Sequence, residues 1–149
     1  PPEVSTEAFQ EGFRIRVRSR GFERIWPGLV LTRTFEVTED HFQVTDEFAG
    51  SGSHRVESFF HFHPNVEVTP DGGNRLSCPV GEGSTIVLDA AGPGDFSFGL
   101  AKGARKPEHS GWFCPQYGRL VPTWTAVWRG RSRLPFRNQF TLRRADGRN

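Results

Sequence analysis

Apolar and polar residues alternate with a period of two along most of the chain, and the spacing typical of an amphipathic helix is almost absent. In residues 13–18, three apolar side chains alternate with three arginines. Successive side chains of a strand point to opposite faces, so this segment predicts a strand with one apolar face and one guanidinium face. The pattern therefore predicts an all-β chain.

Turn residues bound further segments of this kind. The segments predicted to be extended are 13–17, 29–37, 42–46, 54–63, 66–68, 84–88, 95–100, 112–113, 123–128 and 136–142. About nine or ten strands at this spacing are typical of an antiparallel β-sandwich, jelly-roll-like in character. We predict one β-sandwich domain over residues 1–149, with Trp124 and Trp128 as core anchors on a shared face.

Length and composition fit a chain that folds around one core. The chain has 149 residues, of which 35% are hydrophobic, and it contains 14 Phe and 4 Trp. Its apolar runs are too short for a membrane span, and no phosphate-binding or dinucleotide motif occurs, so we predict neither a membrane nor a nucleic acid as partner. The chain begins with Pro1-Pro2 and lacks an initiating Met, so we expect that an N-terminal portion is missing.

Arginine is concentrated near both ends, although the net charge is only +2. Solvated strand faces are the favoured interpretation, and a groove for a polyanion is the alternative. The arginines concerned are Arg14, Arg16, Arg18 and Arg20 near the start, and Arg129, Arg131, Arg133, Arg137, Arg143, Arg144 and Arg148 near the end.

Two cysteines, Cys78 and Cys114, lie far apart without a CxxC motif, so they fit neither a zinc ribbon nor a disulfide framework. Two buried free thiols are expected, and one disulfide is the alternative.

His61, His63 and Glu67 follow the HxHx3E spacing of cupin metal sites, in which two imidazoles on one strand face share a metal. The cupin pattern also needs a glycine six residues before the first His, where this chain has Arg55. It further needs a third His at the end of a glycine-rich stretch, and His109 does not follow such a stretch. A structural role for the histidines is therefore favoured and no cofactor is expected. The alternative is a metal such as zinc at His61, His63 and Glu67.

Tyr117 is the single tyrosine, and a phenol can act as a general acid or base in a sugar lyase. A strand-end tyrosine that bonds to the backbone is the alternative. No G-x-S-x-G motif occurs, so a serine hydrolase is not indicated.

The order of several segments resembles the C-terminal part of the β-sandwich in heparinase II/III-like polysaccharide lyases. The matching segments are 21–24, 27–28, 31–34, 44–52, 54–56, 60–64 and 110–119. The resemblance implies a larger enzyme in which an N-terminal α/α toroid joins a sandwich and the substrate cleft lies between them. Members cleave uronic-acid polysaccharides such as heparin, heparan sulfate or alginate by β-elimination.

The resemblance also implies that the family's catalytic Tyr and its Asn or His lie on the toroid, and that the sandwich's catalytic His lies in an upstream segment. No catalytic role is therefore carried onto His61, His63 or Tyr117, which remain candidates only by residue type. Arg55, Trp112 and Tyr117 are candidates for substrate binding, and Trp112 and Tyr117 are expected to pack the closing strands.

The resulting hypothesis is the C-terminal sandwich of such a lyase, not catalytic alone, with the helical toroid and an anionic polysaccharide as partners. The family resemblance implies a periplasmic or secreted location, and a cytoplasmic one is the alternative. A stand-alone module that binds acidic carbohydrate and a cupin-like metalloprotein are the alternative functions.

Overall fold

The computed structural model describes residues 1–81, 83–105 and 110–145, and β-strands make up most of this part of the chain. No helix within it is long and apolar enough to cross a membrane. The thirteen strands are β1 (Glu3–Phe9), β2 (Gly12–Ser19), β3 (Val30–Thr38), β4 (His41–Ala49), β5 (Ser53–His61), β6 (Thr69–Pro70), β7 (Arg75–Gly81), β8 (Ser84–Ala91), β9 (Ser97–Lys102), β10 (Trp112–Gln116), β11 (Arg119–Pro122), β12 (Trp124–Arg133) and β13 (Phe136–Ala145).

The strands form one large sheet, one small sheet and a separate hairpin. The large sheet has eight strands in the order β1-β2-β3-β4-β13-β8-β7-β6, and the small sheet has three in the order β5-β12-β9. Strands β10 and β11 form the hairpin. All neighbouring strands pair antiparallel, which confirms the predicted antiparallel β-sandwich.

The core lies between the two sheets and is largely aromatic. Trp128 of the small sheet is 0% exposed and Phe140 of the large sheet is 1% exposed. Their rings meet edge to face with centroids 6.3 Å apart, and Phe60 of β5 meets Phe140 at 4.8 Å. Edge-to-face contacts add to the stabilisation that comes from burial of apolar area. Trp124 is half-buried against the same core, so both indoles lie on the predicted face.

The structure contains more strands than the nine or ten expected, because several lack the alternation that reveals a strand. Strand β1 is exposed over most of its length, so its sequence carries no apolar period. Strand β7 includes Pro79 and Gly81, which indicate a turn when judged by residue type alone. The segment 66–68 is not a strand, because the chain turns there and the amide of Val66 donates to the carbonyl of His63 at 2.9 Å.

The expectation of two buried thiols is half wrong. Cys78 is buried in the core, where burial raises the pKa of its thiol. Cys114 lies on the β10–β11 hairpin and is exposed, and both thiols are free. Cys114 is exposed because the hairpin belongs to neither of the two packed sheets and so does not face the core between them.

Replacing Phe140 should test whether the aromatic contact between the sheets holds the fold together. Phe140→Ala removes a ring that is 1% exposed, and we expect a loss of about 3–5 kcal/mol in the free energy of unfolding. Phe13→Ala is the control, because Phe13 is 44% exposed and should lose only about 1 kcal/mol. Urea unfolding followed by tryptophan fluorescence measures both, and equal losses would contradict this view of the core.

Candidate functional site

The predicted histidine pair is split by the end of strand β5. The ring of His61, the last residue of the strand, lies with Nδ1 3.2 Å from Oγ1 of Thr125. His63 lies beyond the strand, where its Nδ1 accepts a hydrogen bond from the amide of Asn65 at 3.3 Å. Two residues share a face only while the strand continues. The alternation of side chains therefore does not place His61 and His63 on one face, where they could share a metal.

Glu67, the third residue of the predicted metal set, is held by other partners. Its Oε1 accepts from Nζ of Lys102 at 2.7 Å, and its Oε2 accepts from Nε1 of Trp124 at 2.9 Å. The hydrogen bond from Lys102, followed by that from Trp124, lowers the pKa of the carboxyl. Within the described ranges, no three His, Cys, Asp or Glu side chains lie close enough to hold one metal ion. His109 lies outside those ranges.

The predicted packing of Tyr117 is wrong, and Trp112 contacts the segment after β9 but does not join the core between the sheets. Tyr117 lies in the turn between β10 and β11 and is fully exposed, because this two-stranded hairpin offers no second layer above its turn. Trp112 is half-buried, and its Nε1 donates to the carbonyl of Ala104 at 2.9 Å. Arg55, the third candidate for substrate binding, lies on the exposed face of β5.

The outer face of the large sheet neutralises much of its own charge. Five of the eleven predicted arginines lie on it, namely Arg14, Arg16, Arg18, Arg137 and Arg143. Arg14 Nη2 lies 2.6 Å from Oε2 of Glu36 on the neighbouring strand, and Arg18 Nη1 lies 3.3 Å from Oε1 of Glu3. Arg143 pairs with Asp89 in the same way, at 3.2 Å. These exposed cross-strand pairs support the favoured interpretation of solvated strand faces. Arg148 lies outside the described residues.

A cavity of about 360 Å³ opens beside the exposed edge of β5, and an ion pair lies in its wall. Arg33 and Asp46 of the large sheet form a two-pronged pair, with Nε to Oδ1 at 2.6 Å and Nη2 to Oδ2 at 2.7 Å. Asp46 is 0% exposed, while the Arg33 side chain is 41% exposed. The hydrogen bonding that Arg33 donates to the Asp46 carboxylate is the main cause that raises the pKa of Arg33.

The Arg33–Asp46 pair was not predicted, although the alternation of apolar and polar residues indicates it. Arg33 occupies an inward position between Leu31 and Phe35, and Asp46 does so beside Phe48. A charged residue at an apolar position of each of two successive strands indicates a pair between them, since an unpaired buried charge is costly. The rest of the cavity wall includes the exposed aromatic residues Phe22 and Trp26 and the ring of His54.

Loss of Arg33 should be costly because it leaves the buried carboxylate of Asp46 unpaired. We expect Arg33→Met to lower the free energy of unfolding by about 2–3 kcal/mol. Arg14→Met removes an exposed partner of Glu36 and should cost less than about 1 kcal/mol. Chemical denaturation of both variants measures the difference. Losses of similar size would mean that the Arg33–Asp46 pair behaves as an ordinary surface pair.

The pair between Arg14 and Glu36 should make stability depend on pH. The hydrogen bond from Arg14 is the main cause that lowers the Glu36 pKa below its ordinary 4.5. A carboxyl whose pKa is lowered by folding contributes stability above its unfolded pKa, and that contribution disappears as the pH falls through the folded value. The deficit of Glu36→Gln relative to the original chain should therefore be largest near neutral pH and shrink in acid.

The control for this prediction is Glu39→Gln, which alters an exposed carboxyl in the turn between β3 and β4. Its effect on unfolding should stay small at every pH. A Glu36→Gln deficit that persists unchanged in acid would show that the carboxylate charge is not what stabilises this face.

Comparison with known proteins places this geometry in a family. A protein-family model described as "Heparinase II/III-like, C-terminal" matches residues 3–142. No curated protein matches the chain. The solved structure of heparan sulfate lyase HepC from Pedobacter heparinus is similar with a TM-score of 0.76 and 12% identity, over 99% of this chain and 22% of that one. A mutant of the same lyase gives a TM-score of 0.79 at 12% identity, with the same coverage of both chains.

A heparinase III gene product gives a TM-score of 0.72 at 15% identity, over 97% of this chain and 22% of that one. The chain thus spans about a fifth of the length of these enzymes. At these identities the structural likeness shows the fold alone, whereas the family model covers most of the sequence. The chain therefore belongs to the heparinase II/III-like family, in which it corresponds to the C-terminal β-sandwich domain.

Proposed function

We propose that this domain is part of a lyase that cleaves uronate-containing acidic polysaccharides by β-elimination, and that the domain does not cleave them alone. Its family and its likeness to a heparan sulfate lyase and a heparinase III support the substrate class. Heparan sulfate is the first substrate to test, because two of the similar structures are named as heparan sulfate lyase. A helical domain is the proposed partner, and an anionic polysaccharide the proposed ligand.

The placement of Tyr117 is the observation that carries the second half of this proposal. β-Elimination needs a base for the C5 proton, an acid for the leaving oxygen and a group that neutralises the uronate carboxylate, all at one site. Tyr117 is fully exposed at a hairpin turn, while His61 and His63 contact separate partners. The candidate groups of the described chain do not converge, so the reactive set is proposed to come from elsewhere in the lyase.

Product formation tests both halves of the proposal. The 149-residue chain and the full-length product of its gene are incubated separately with heparan sulfate, and unsaturated uronate ends are followed by ultraviolet absorbance. We expect the full-length product to form these ends and the 149-residue chain to form none.

Each half of the proposal has its own contradicting result. Cleavage by the isolated chain would contradict the statement that the reactive set lies elsewhere. A full-length product that leaves heparan sulfate, heparin and alginate intact would contradict the lyase assignment. Tyr117→Phe serves as the matched variant in the full-length product, and its activity should be unchanged because this phenol is proposed to take no part.

A further inference from the structure

The outer face of the small sheet carries an unbalanced positive charge. The register of β5 and β12 sets Arg131 directly opposite Arg55, and Arg129 directly opposite Glu57. Oε1 of Glu57 accepts from Nη2 of Arg55 at 2.6 Å and lies 4.0 Å from Nη1 of Arg129. One carboxylate thus serves two guanidinium groups. Within the described chain, no carboxylate lies within 4.0 Å of Arg131.

The two opposed arginines favour an anion between them. Like charges directly opposite on neighbouring strands repel each other and weaken the pairing. A carboxylate or sulfate that lies between Arg55 and Arg131 would relieve this repulsion and accept paired hydrogen bonds from the planar guanidinium groups. The Arg129 side chain is directed elsewhere, since a Cβ on Gly99 of β9 would lie only 2.9 Å from its Nη2. Of the two opposed arginines, Arg131 is therefore the open cation, and Arg55, which donates to Glu57, lies directly opposite it.

Exposed aromatic rings flank these cations. Trp26 is 43% exposed and meets the ring of His54 edge to face at 5.4 Å. A backbone hydrogen bond closes the turn that carries Trp26, since the amide of Trp26 donates to the carbonyl of Phe22 at 2.8 Å. Phe59, two residues beyond Glu57 on the same strand face, is 47% exposed. An indole held in place with one open side offers a surface for the apolar face of a sugar ring.

The charged and aromatic groups line one depression. Its volume is about 720 Å³, and Trp26, His54, Arg55, Glu57, Phe59 and Arg131 lie along it. The cavity that contains the Arg33–Asp46 pair adjoins this depression, since the two share Trp26, His54, Arg55 and Glu57. A ligand of several sugar units can therefore extend from Arg55 and Arg131 past Trp26.

We propose that this depression binds an acidic saccharide, with a carboxylate or sulfate between Arg55 and Arg131 and a sugar ring against Trp26. The proposal deepens the proposed function and rests on it for the identity of the saccharide.

A nucleic acid is less favoured, because its phosphate backbone is bound by a long basic stripe, whereas Arg129, Arg131 and Arg133 form a short basic row on β12. Glu57 lies beside this row and would repel a phosphate.

Binding of a defined glycan to the 149-residue chain tests the proposal. The probe is a heparin-derived tetrasaccharide, titrated at low ionic strength and followed by calorimetry, with a neutral tetrasaccharide and a single-stranded oligonucleotide as comparison ligands. Arg131→Gln should weaken binding of the acidic probe about tenfold, and Trp26→Ala about fivefold.

Arg16→Gln is the matched control, because it removes one exposed arginine from the opposite outer face of the sandwich and changes the net charge equally. Its effect on binding should be less than about twofold. The thermal midpoint of each variant, recorded without ligand, checks that the chain is folded. Bound tetrasaccharide should raise the midpoint of the original chain more than that of Arg131→Gln.

Three results would overturn the proposal. These are equal losses for Arg131→Gln and Arg16→Gln, binding of the neutral tetrasaccharide as tight as that of the acidic one, and binding of the oligonucleotide with the same dependence on Trp26. If the tetrasaccharide does not bind this depression but the full-length product cleaves heparan sulfate, the binding site is rejected and the proposed function stands. If the tetrasaccharide binds the depression but the full-length product does not cleave, the binding site stands and the proposed function is rejected.

Discussion

The contact between Trp128 and Phe140 is the interaction on which the rest of the structure depends. The small sheet has only three strands, and an isolated sheet of that size has no second layer to bury its apolar face. Trp128 and Phe60 supply that face, and Phe140 of the large sheet meets both rings. Burial of these rings fixes where the small sheet lies, and so determines which residues of β5 and β12 reach the opposite, solvent-exposed face.

The two outer faces of the sandwich differ in how they distribute charge. On the large sheet, arginines alternate with carboxylates across neighbouring strands, as Arg14 does with Glu36, so the face is solvated and largely neutral. On the small sheet, the same register principle sets Arg131 opposite Arg55, and Glu57 is shared. Cross-strand pairing thus produces a largely neutral surface on one side and a surface with excess positive charge at Arg131 on the other.

The strand pattern could be predicted from sequence because alternation is a local signal. The family was predicted differently, from the resemblance of segments such as 44–52 and 110–119 and their order along the chain. The positions of Phe60 and Trp128 on inward faces follow directly from that alternation. Strand β1 was missed because its exposed side chains carry no apolar period, and β7 because proline and glycine lie within it. In both, pairing with a neighbouring strand overrides what residue type indicates.

The candidate site was harder to predict, since it depends on which strands become neighbours. His61 and His63 were expected on one face, but the strand ends between them. Arg55 and Arg131 become opposite neighbours only through the register of two strands that are far apart in sequence, and a single sequence does not reveal that register.

A crystal structure of the chain with a heparin-derived tetrasaccharide tests the central claim most directly, which is that Arg55, Arg131 and Trp26 bind an acidic saccharide. The account predicts an intact glycan with an anionic group between Arg55 and Arg131 and a sugar ring on Trp26. A glycan bound on the outer face of the large sheet, or one cleaved to unsaturated products, would contradict it.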